Sequence, residues 1–406
     1  MTATRASSRQ DGPAHRTGSH PAPAAVDERA EQWAERLWQA ALAADEYAAL
    51  DVVADALGAG LDPESVLLDV ISAVQHRVGR EWAANRIGVA DEHAATAISD
   101  RVIAALPVPR PNPARGSVTV ACVDKEWHAL PARLLAETLR LRGWQVAYLG
   151  AQVPTAHLVR QLHRTGSSVV CLSAALSTRL PMAHAAITAV QATGVPVMVG
   201  GLGFGVDGRY ARRLGADAWA PHARAAADRL GAGPLPAPRP HHQTVDDLPH
   251  LADQEYTKVT RAAHHLVRET VEQLERRFPP MRDYDEEQRE RTAEDLAHIV
   301  DFLAAALYVD DADVFTGFLT WTAGILAARG VPARSLPPAL DALEEQMPDL
   351  PRTRGLLDAG RAALAVGVRP PADLAGRAGG QEPAAPGATV APSAEIAEGR
   401  NTWRTS

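Results

Sequence analysis

A glutamate and a histidine stand two residues apart just beyond a compact β-branched run, SVTVACV, at residues 117–123. A metal-binding imidazole commonly has its second ring nitrogen held by a carboxylate, which fixes the tautomer and raises the basicity of the ligand. Glu126 and His128 fit that arrangement, so this loop predicts a metal-ligating histidine. The plainer interpretation is a solvated surface loop that carries one histidine beside acids.

The elements that must position this loop alternate strand and helix across residues 116–231. SVTVACV, WQVAYLG, SVVCLSA, VPVMVGG and ADAWA predict five strands, and PARLLAETLRLRG predicts a helix with Pro131 in its first turn. Such repeats predict a flavodoxin-like, five-stranded parallel sheet with helices on both faces. Sheets of this kind bind ligands at the carboxyl ends of their strands, where the loops after the first, third and fourth strands converge.

Three features of these loops, taken in order, resemble the cobalamin-binding fold, whose pattern is Asp/Glu-x-His-x-x-Gly, then Ser-x-Leu, then Gly-Gly. In this chain they are Glu126 and His128, then Ser173 and Ser177 in CLSAALSTRLP, then Gly200 and Gly201 in VMVGGLGFG. The resemblance implies that the cofactor binds base-off, with His128 replacing its own benzimidazole as the lower axial ligand of cobalt. It also implies that the displaced nucleotide tail descends beside the serines and glycines, because small residues leave room for the tail and hydroxyls satisfy its polar atoms.

Two positions depart from that pattern. Pro131 stands where the family has its glycine, and Ala175 stands where the leucine of Ser-x-Leu would be. A proline in the first turn of a helix costs no hydrogen bond, so the loop can still close. The departure at Ala175 falls where the nucleotide tail would pack.

Residues 27–107 predict a four-helix bundle, with Asp62 as the cap of its third helix. Within it, Trp82 is followed after nine residues by Glu92 and His93. This spacing resembles the cap of light-sensing adenosylcobalamin receptors, and the phrase VGREWAANRIGVADEHAAT also resembles the caps of methionine synthase and corrinoid proteins. The resemblance implies that Trp82 roofs the upper axial group and that Glu92 and His93 contact the adenosyl moiety. The alternative is a tryptophan in the bundle core and a solvated helix start.

The residue after that tryptophan is Ala83, where the photoreceptor repressors carry a histidine that caps cobalt after photolysis. We therefore expect no cobalt held by two histidines through this position. A locked light state would need another donor, either His76, His93 or a water.

Residues 253–366 predict a third block of five helices, which holds four of the five phenylalanines of the chain. Joined to a cobalamin domain without a DNA-binding partner, this block resembles the photocobilins, which bind both cobalamin and the linear tetrapyrrole biliverdin. The resemblance implies a non-covalent bilin, because the block contains no cysteine. The candidate pocket residues are Tyr284, His298, Phe302 and Trp321, with the bilin propionates paired to Arg282, Arg289 or Arg291. The alternative is a helical module for dimerisation or partner docking.

Composition limits the remaining classes of protein. A net charge of −8 over 406 residues and a pI near 6.0 argue against direct nucleic-acid binding, and no apolar run is long enough for a membrane span or a signal core. Two cysteines, Cys122 and Cys171, exclude a disulfide scaffold and fit a reducing cytosol, so we expect a cytoplasmic protein. Residues 1–26 and 367–406 are expected to be disordered, and residues 232–252 to form a Pro-rich linker.

Together these features predict a cobalamin-dependent photoreceptor and signalling protein that is not itself an enzyme. Light-driven cleavage of the cobalt–carbon bond would move the cap against the sheet and change quaternary contacts. Because residues 1–26 are too short for a DNA-binding domain, the signal would pass through a homo-oligomer or a signalling partner. The alternatives are a corrinoid methyl carrier of a methyltransferase system and an adaptor that senses cobalamin chemically.

Overall fold

The computed structural model describes residues 28–238, 248–331 and 333–367. The two ends expected to be disordered, 1–26 and 367–406, lie outside the described residues except for Gly367. The middle of the predicted linker, 239–247, lies outside them as well. Within the described ranges, no helix is long and apolar enough to cross a bilayer.

The first block is a bundle of four helices, as predicted. Its elements are α1 (Glu28–Leu42), α2 (Glu46–Gly58), a third helix that runs from α3 (Pro63–Ser65) through a π-helical turn (Val66–Ile71) into α4 (Ser72–Ala83), and α5 (Val89–Ala104). The Asp62 side chain accepts a hydrogen bond from the Ser65 backbone N–H at 3.0 Å, which is the predicted cap. The π turn was not predicted, because its apolar residues stay buried and the apolar pattern does not reveal the wider turn.

The second block is a parallel sheet in the order β2-β1-β3-β4-β5. Its strands are β1 (Ser117–Cys122), β2 (Gln145–Gly150), β3 (Val169–Ser173), β4 (Val197–Gly200) and β5 (Ala218–Ala220). Its helices are α6 (Ala129–Leu141), α7 (Thr155–Thr165), α8 (Leu180–Gln191), α9 (Arg209–Arg213) and α10 (Ala223–Gly231). This strand order is the flavodoxin-like one and confirms the predicted fold class. The order reverses between β1 and β3, which opens a crevice between the loops that follow these two strands.

The third block consists of five helices, as predicted. They are α11 (Glu255–Arg277), α12 (Glu286–Val309), α13 (Ala312–Ala328), α14 (Leu336–Glu345) and α15 (Pro351–Gly367). The block shares one continuous apolar core with α7 and α8 of the sheet, and Leu248 of the predicted linker is buried in that core. Inside the same region, His184 Nδ1 of α8 lies 3.0 Å from the Tyr308 hydroxyl of α12. The third block is therefore fixed against one face of the sheet.

An ion-pair network joins the cap to the sheet block at α6 and α10. Glu64 accepts hydrogen bonds from Arg142 Nη2 at 2.7 Å and Arg142 Nε at 2.8 Å, and Arg224 Nε lies 3.4 Å from it. Arg224 also donates to Asp69 in the π turn at 2.8 Å. The hydrogen bonds from Arg142 are the largest influence that holds the pKa of Glu64 below its usual 4.5. Leu134 of α6 adds an apolar contact, because it belongs to the core of the cap.

We expect Glu64→Gln to lower the free energy of unfolding at pH 7 by about 1 to 2 kcal/mol, because Arg142 and Arg224 would then face a neutral amide. The pKa of Glu64 is lowered in the folded state, so its contribution is present above the usual value of 4.5 and is lost as the pH falls through the folded value. Urea unfolding at pH 7 and at pH 4 should therefore show the difference between variant and parent shrinking at the lower pH. Glu46→Gln is the matched control, since the Arg101–Glu46 pair is exposed and should contribute less than about 0.5 kcal/mol. Equal losses from the two variants at pH 7 would contradict the assignment.

Candidate functional site

The predicted imidazole and carboxylate meet in the loop after β1. His128 Nδ1 lies 2.5 Å from Glu126 Oε1, and the same oxygen accepts the His128 backbone N–H at 2.9 Å. Lys125 takes a left-handed backbone conformation, φ 63°, which turns the chain just before Glu126. Glu126 is fully buried and His128 is partly exposed. Because an ionised carboxylate can only accept, Nδ1 carries the hydrogen and the lone pair on Nε2 is the one that can reach a metal.

The second carboxylate oxygen of Glu126 crosses to the loop after β3. Oε2 accepts the backbone N–H groups of Ala175 at 2.7 Å and Leu176 at 3.3 Å. Burial is the largest influence on the pKa of Glu126 and raises it, but the hydrogen bonds from His128 and Ala175 outweigh burial and leave the pKa below its usual 4.5. The carboxylate therefore stays ionised and fixes the imidazole at the β1–β3 crevice.

The side chains around His128 can supply one metal ligand and not a complete set. No group of three or more His, Cys, Asp and Glu side chains in the described part of the chain could hold a metal ion, and Nε2 of His128 has no hydrogen-bond partner among the described residues. Cys122 donates its S–H to the His128 carbonyl at 3.7 Å, and burial raises the pKa of its thiol to about 12, so it stays a thiol. A single imidazole suits a metal that arrives already chelated by a macrocycle.

The serines and the first glycine lie at the neighbouring ends of β3 and β4. Ser173 is the last residue of β3 and is 7% exposed, and it pairs in register with Gly200, the last residue of β4. Ser177 donates its hydroxyl to the Gly203 carbonyl at 3.3 Å. The structure thus brings all three predicted residues to the edge of the sheet that carries His128.

The glycines after β4 allow the protein's own backbone to approach closely. Gly201 has φ 96° and ψ 157°, a region open essentially to glycine alone, and a Cβ there would lie 2.3 Å from the Ala174 carbonyl oxygen. A Cβ on Gly203 would lie 2.7 Å from the Leu176 carbonyl oxygen. Gly203 was not singled out from the sequence, although the repeated glycines of VGGLGFG were a signal for it. The sequence predicted that the Gly-Gly pair leaves room for a nucleotide tail. The structure adds a second role, because Gly201 and Gly203 pack closely against residues 174–176, whose N–H groups bind Glu126.

Neither departure from the sequence pattern disturbs this arrangement. Pro131 lies in the first turn of α6, which begins at Ala129, so its missing N–H is not needed there. Ala175 acts through its backbone N–H, which does not depend on its side chain.

Trp82, the predicted roof of the site, is covered by the third block. Trp82 is 3% exposed, and its ring stacks against Trp321 of α13 with ring centroids 6.4 Å apart and planes inclined by 25°. The Arg329 guanidinium lies 4.6 Å from the centroid of the Trp82 ring. Both contacts were missed from the sequence, because nothing local to Trp82 indicates which part of another block will reach it.

The other cap residues lie on α4 and α5. Glu92 Oε1 accepts the Thr96 hydroxyl at 3.2 Å, and the His93 side chain is 58% exposed, with Nδ1 3.9 Å from Glu92 Oε2. Ala83 is the last residue of α4, and His76 lies two helical turns before it, about 10 Å along the axis. The His76 ring already bonds a backbone carbonyl of its own helix at 2.7 Å.

The candidate bilin residues divide between the two ends of α12. Phe302 stacks on Phe318 of α13 with centroids 3.9 Å apart, Phe318 lies 6.3 Å from Trp321, and His298 is one turn before Phe302. Tyr284 precedes Glu286, the first residue of α12, and Glu286 lies about 24 Å along the axis from Phe302. The predicted pocket is therefore wrong at Tyr284, because the structure does not bring that residue to His298, Phe302 and Trp321.

The arginines proposed for the bilin propionates already have acidic partners in two cases. Arg289 pairs with Glu275, and Arg291 pairs with Glu287. Arg282 lies on the exposed turn before α12. The Arg329 guanidinium lies over the ring of Trp82, which stacks on Trp321.

Comparison with known proteins identifies two regions of the chain. Residues 116–230 and residues 33–106 each match a B12 binding domain. The chain is also 29% identical over 177 residues to the HTH-type transcriptional repressor CarH of Myxococcus xanthus, a match that covers 42% of this chain and 58% of the repressor, which is less than two thirds of its length.

Solved structures that match part of the chain include the monomethylamine corrinoid protein of Methanosarcina barkeri, at 20% identity and a TM-score of 0.42, which covers 50% of this chain and 99% of that one. A cobalamin-binding protein from Desulfitobacterium hafniense DCB-2 matches at 21% identity and a TM-score of 0.28, covering 49% of this chain and 97% of that one. The site geometry and the two matches agree: this chain contains two B12 binding domains, a sheet domain that carries His128 and a helical cap that carries Trp82.

Proposed function

We propose that this protein is a cobalamin-dependent photoreceptor that signals and does not catalyse a reaction of its own. It binds adenosylcobalamin base-off, with His128 on the lower face and Trp82, Glu92 and His93 on the upper face. The observation that carries the proposal is the Glu126–His128 pair, which holds an imidazole with an open Nε2 at the β1–β3 crevice. When bound, the cofactor supplies a cobalt–carbon bond that light can break.

The division of labour among the residues follows from their contacts. Glu126 orients the imidazole and keeps the hydrogen on Nδ1, and the Ala175 and Leu176 N–H groups hold Glu126. Ser173 and Ser177 stand where the nucleotide tail would pass. The similarity to a protein named as a transcriptional repressor supports a regulatory role over an enzymatic one.

The route of the signal runs from the cap to the third block. Trp82 touches Trp321 and Arg329, so a change on the upper face that displaces Trp82 alters the surface of α13. That surface then becomes available to, or is withdrawn from, a second copy of the chain or a signalling partner. The third block is thus the output element of the photoreceptor.

We extend the proposal to biliverdin as a non-covalent second chromophore beside Phe302, Phe318 and Trp321. The rings supply apolar surface for a planar tetrapyrrole, but Phe302 and Phe318 are 9% and 8% exposed and cover each other, so the two rings must separate to admit it. Arg329 offers a guanidinium for a propionate. Visible spectra of protein expressed with and without biliverdin test this part separately. Absence of a bilin band in both samples would remove biliverdin and leave the cobalamin proposal standing.

The deciding experiment is illumination of the holoprotein. Protein loaded in the dark with adenosylcobalamin should change its visible spectrum under green light, both with and without oxygen, and should change its molar mass or its hydrogen-exchange pattern in α13. Protein loaded with hydroxocobalamin, which carries no photolabile alkyl group, should show neither change. An unchanged spectrum would end the light-sensing proposal, and transfer of a methyl group to the bound corrinoid by a methyltransferase would favour the methyl carrier instead.

A further inference from the structure

Trp127 stands between the two residues that define the lower side of the site, Glu126 and His128, at a position that the pattern Asp/Glu-x-His leaves open. Trp127 is 47% exposed, whereas the other six tryptophans of the described ranges are buried or half-buried. It belongs to none of the three apolar cores that the described residues form. A large apolar ring is therefore exposed beside an imidazole whose Nε2 is open.

The backbone on both sides of Trp127 is fixed. The Glu126 carbonyl, in the peptide group before Trp127, accepts the Gln152 N–H at 2.9 Å. The His128 N–H, in the peptide group after it, donates to Glu126 Oε1 at 2.9 Å. Lys125 and Gln152 both take left-handed conformations, φ 63° and φ 49°, which are uncommon for residues other than glycine. The exposure of Trp127 thus comes from a loop that is held in place at both flanking peptide groups.

A second exposed apolar side chain lies two strands away on the same edge of the sheet. Leu202, in the loop after β4, is 40% exposed. Its neighbour Gly203 donates its N–H to the Ala174 carbonyl at 3.0 Å, which joins this loop to the loop after β3. Because adjacent strands lie about 4.8 Å apart, β1 and β4 are separated by about 10 Å. Exposed apolar side chains thus border the loop after β3 on both sides, an arrangement that suits a broad ligand better than scattered surface residues would.

We infer that Trp127 is a corrin-binding residue, whose indole packs against the lower face of the macrocycle held by His128. Consecutive Cα atoms lie about 3.8 Å apart and an indole is longer than an imidazole, so the Trp127 ring can reach the level of Nε2. A broad macrocycle centred on Nε2 covers both side chains, and burial of the exposed part of the indole favours binding. Because the backbone already fixes Trp127, little conformational entropy is lost when the ligand arrives. This inference rests on the proposed function, since it takes His128 to be the lower ligand.

Affinities measured in the dark for adenosylcobalamin and for adenosylcobinamide, which lacks the nucleotide tail, test the inference. Trp127→Ala should raise the Kd of the full-length protein about 5- to 20-fold for both corrinoids, because both present the same macrocycle. Trp127→Phe keeps an aromatic ring and should raise either Kd less than about threefold. A loss confined to adenosylcobalamin would place the indole against the nucleotide tail and overturn the inference.

The accessibility of Trp127 separates a contact with the ligand from a change in the loop. Hydroxyl-radical footprinting of the parent in the dark should show oxidation of Trp127 that falls when either corrinoid is added. Tyr47 of α2, which is 80% exposed, is the matched control. Its oxidation should not change, and Tyr47→Ala should leave both affinities within about twofold of the parent. The urea midpoint of Trp127→Ala should equal that of the parent, because the indole belongs to no core.

The outcomes keep the inference apart from the proposed function. Unchanged Kd values in Trp127→Ala, or oxidation of Trp127 that is equally fast with and without corrinoid, would overturn the inference and leave the proposed function standing. Protection of Trp127 that grows with protein concentration in the absence of corrinoid would assign the ring to an interface between copies, and would overturn the inference as well. A parent protein that binds neither corrinoid would overturn the proposed function itself.

Discussion

His128→Ala should weaken the binding of adenosylcobalamin by about 100-fold or more and should change the visible spectrum of whatever cofactor is retained. The reason is that Glu126 holds the His128 imidazole with Nε2 open at the β1–β3 crevice, and no group of three or more His, Cys, Asp and Glu among the described residues could hold a metal ion in its place. Loss of the partners that merely orient a metal ligand already costs roughly 10- to 100-fold in affinity, so loss of the ligand itself should cost at least as much. Equilibrium dialysis in the dark gives the affinity, and the absorbance of the bound fraction reports the axial ligand.

Two further variants make that result specific. Glu126→Gln keeps the shape of the side chain but loses the charge that holds the hydrogen on Nδ1, and should weaken binding roughly 10- to 100-fold. His157→Ala changes an exposed histidine of α7 and should leave both affinity and spectrum unchanged. Full retention of cofactor with an identical spectrum in His128→Ala would disprove the lower ligand.

Gly201→Ala should lower the free energy of unfolding by about 3 kcal/mol or more, because it combines a disallowed backbone with a collision. The new Cβ would lie 2.3 Å from the Ala174 carbonyl oxygen. Because that oxygen belongs to the backbone of the loop after β3, it cannot move aside as a flexible side chain would. The loop after β3 would be pushed away from Glu126, which takes its hydrogen bonds from Ala175 and Leu176. Cobalamin binding should therefore fall together with stability in urea unfolding and dialysis experiments.

Gly166→Ala is the matched control for that substitution. Gly166 also has a positive φ, 62°, but nothing lies within 4 Å of its added Cβ. The cost there should be the left-handed conformation alone, about 1 to 2 kcal/mol, with cobalamin affinity unchanged. Equal destabilisation by the two alanines would mean that the contact with Ala174 does not determine the behaviour of Gly201.

The fold was predictable where local patterns decide it. The β-branched runs between helical segments give the parallel sheet, and the capping chemistry of Asp62 and Pro63 places the start of the third cap helix. The π turn at Val66–Ile71 was not predictable, since a single widened turn leaves the apolar spacing nearly intact. Nor was the packing of the third block onto α8, because it depends on the fit between surfaces far apart in the chain.

The candidate site also contains residues that the sequence could predict and residues that it could not. Glu126 and His128 could be found together because they are two residues apart, and their hydrogen bond is as expected. The N–H groups of Ala175 and Leu176 could not be found, because a backbone donor has no residue type that marks it. The predicted bilin pocket was wrong at Tyr284. The prediction grouped aromatic residues by their abundance in the block, but most of the long helix α12 lies between Tyr284 and Phe302.

The stacking of Trp82 under Trp321 and Arg329 sets a threshold for any motion of the cap. The helix α4 cannot shift alone without exposing a large indole to water, at a cost of about 2 to 3 kcal/mol. At that cost, a conformation with the two tryptophans separated would be populated at roughly 1%. A larger displacement of α4 must therefore either carry α13 with it or separate the two tryptophans, so the stacked pair couples the cap to the third block.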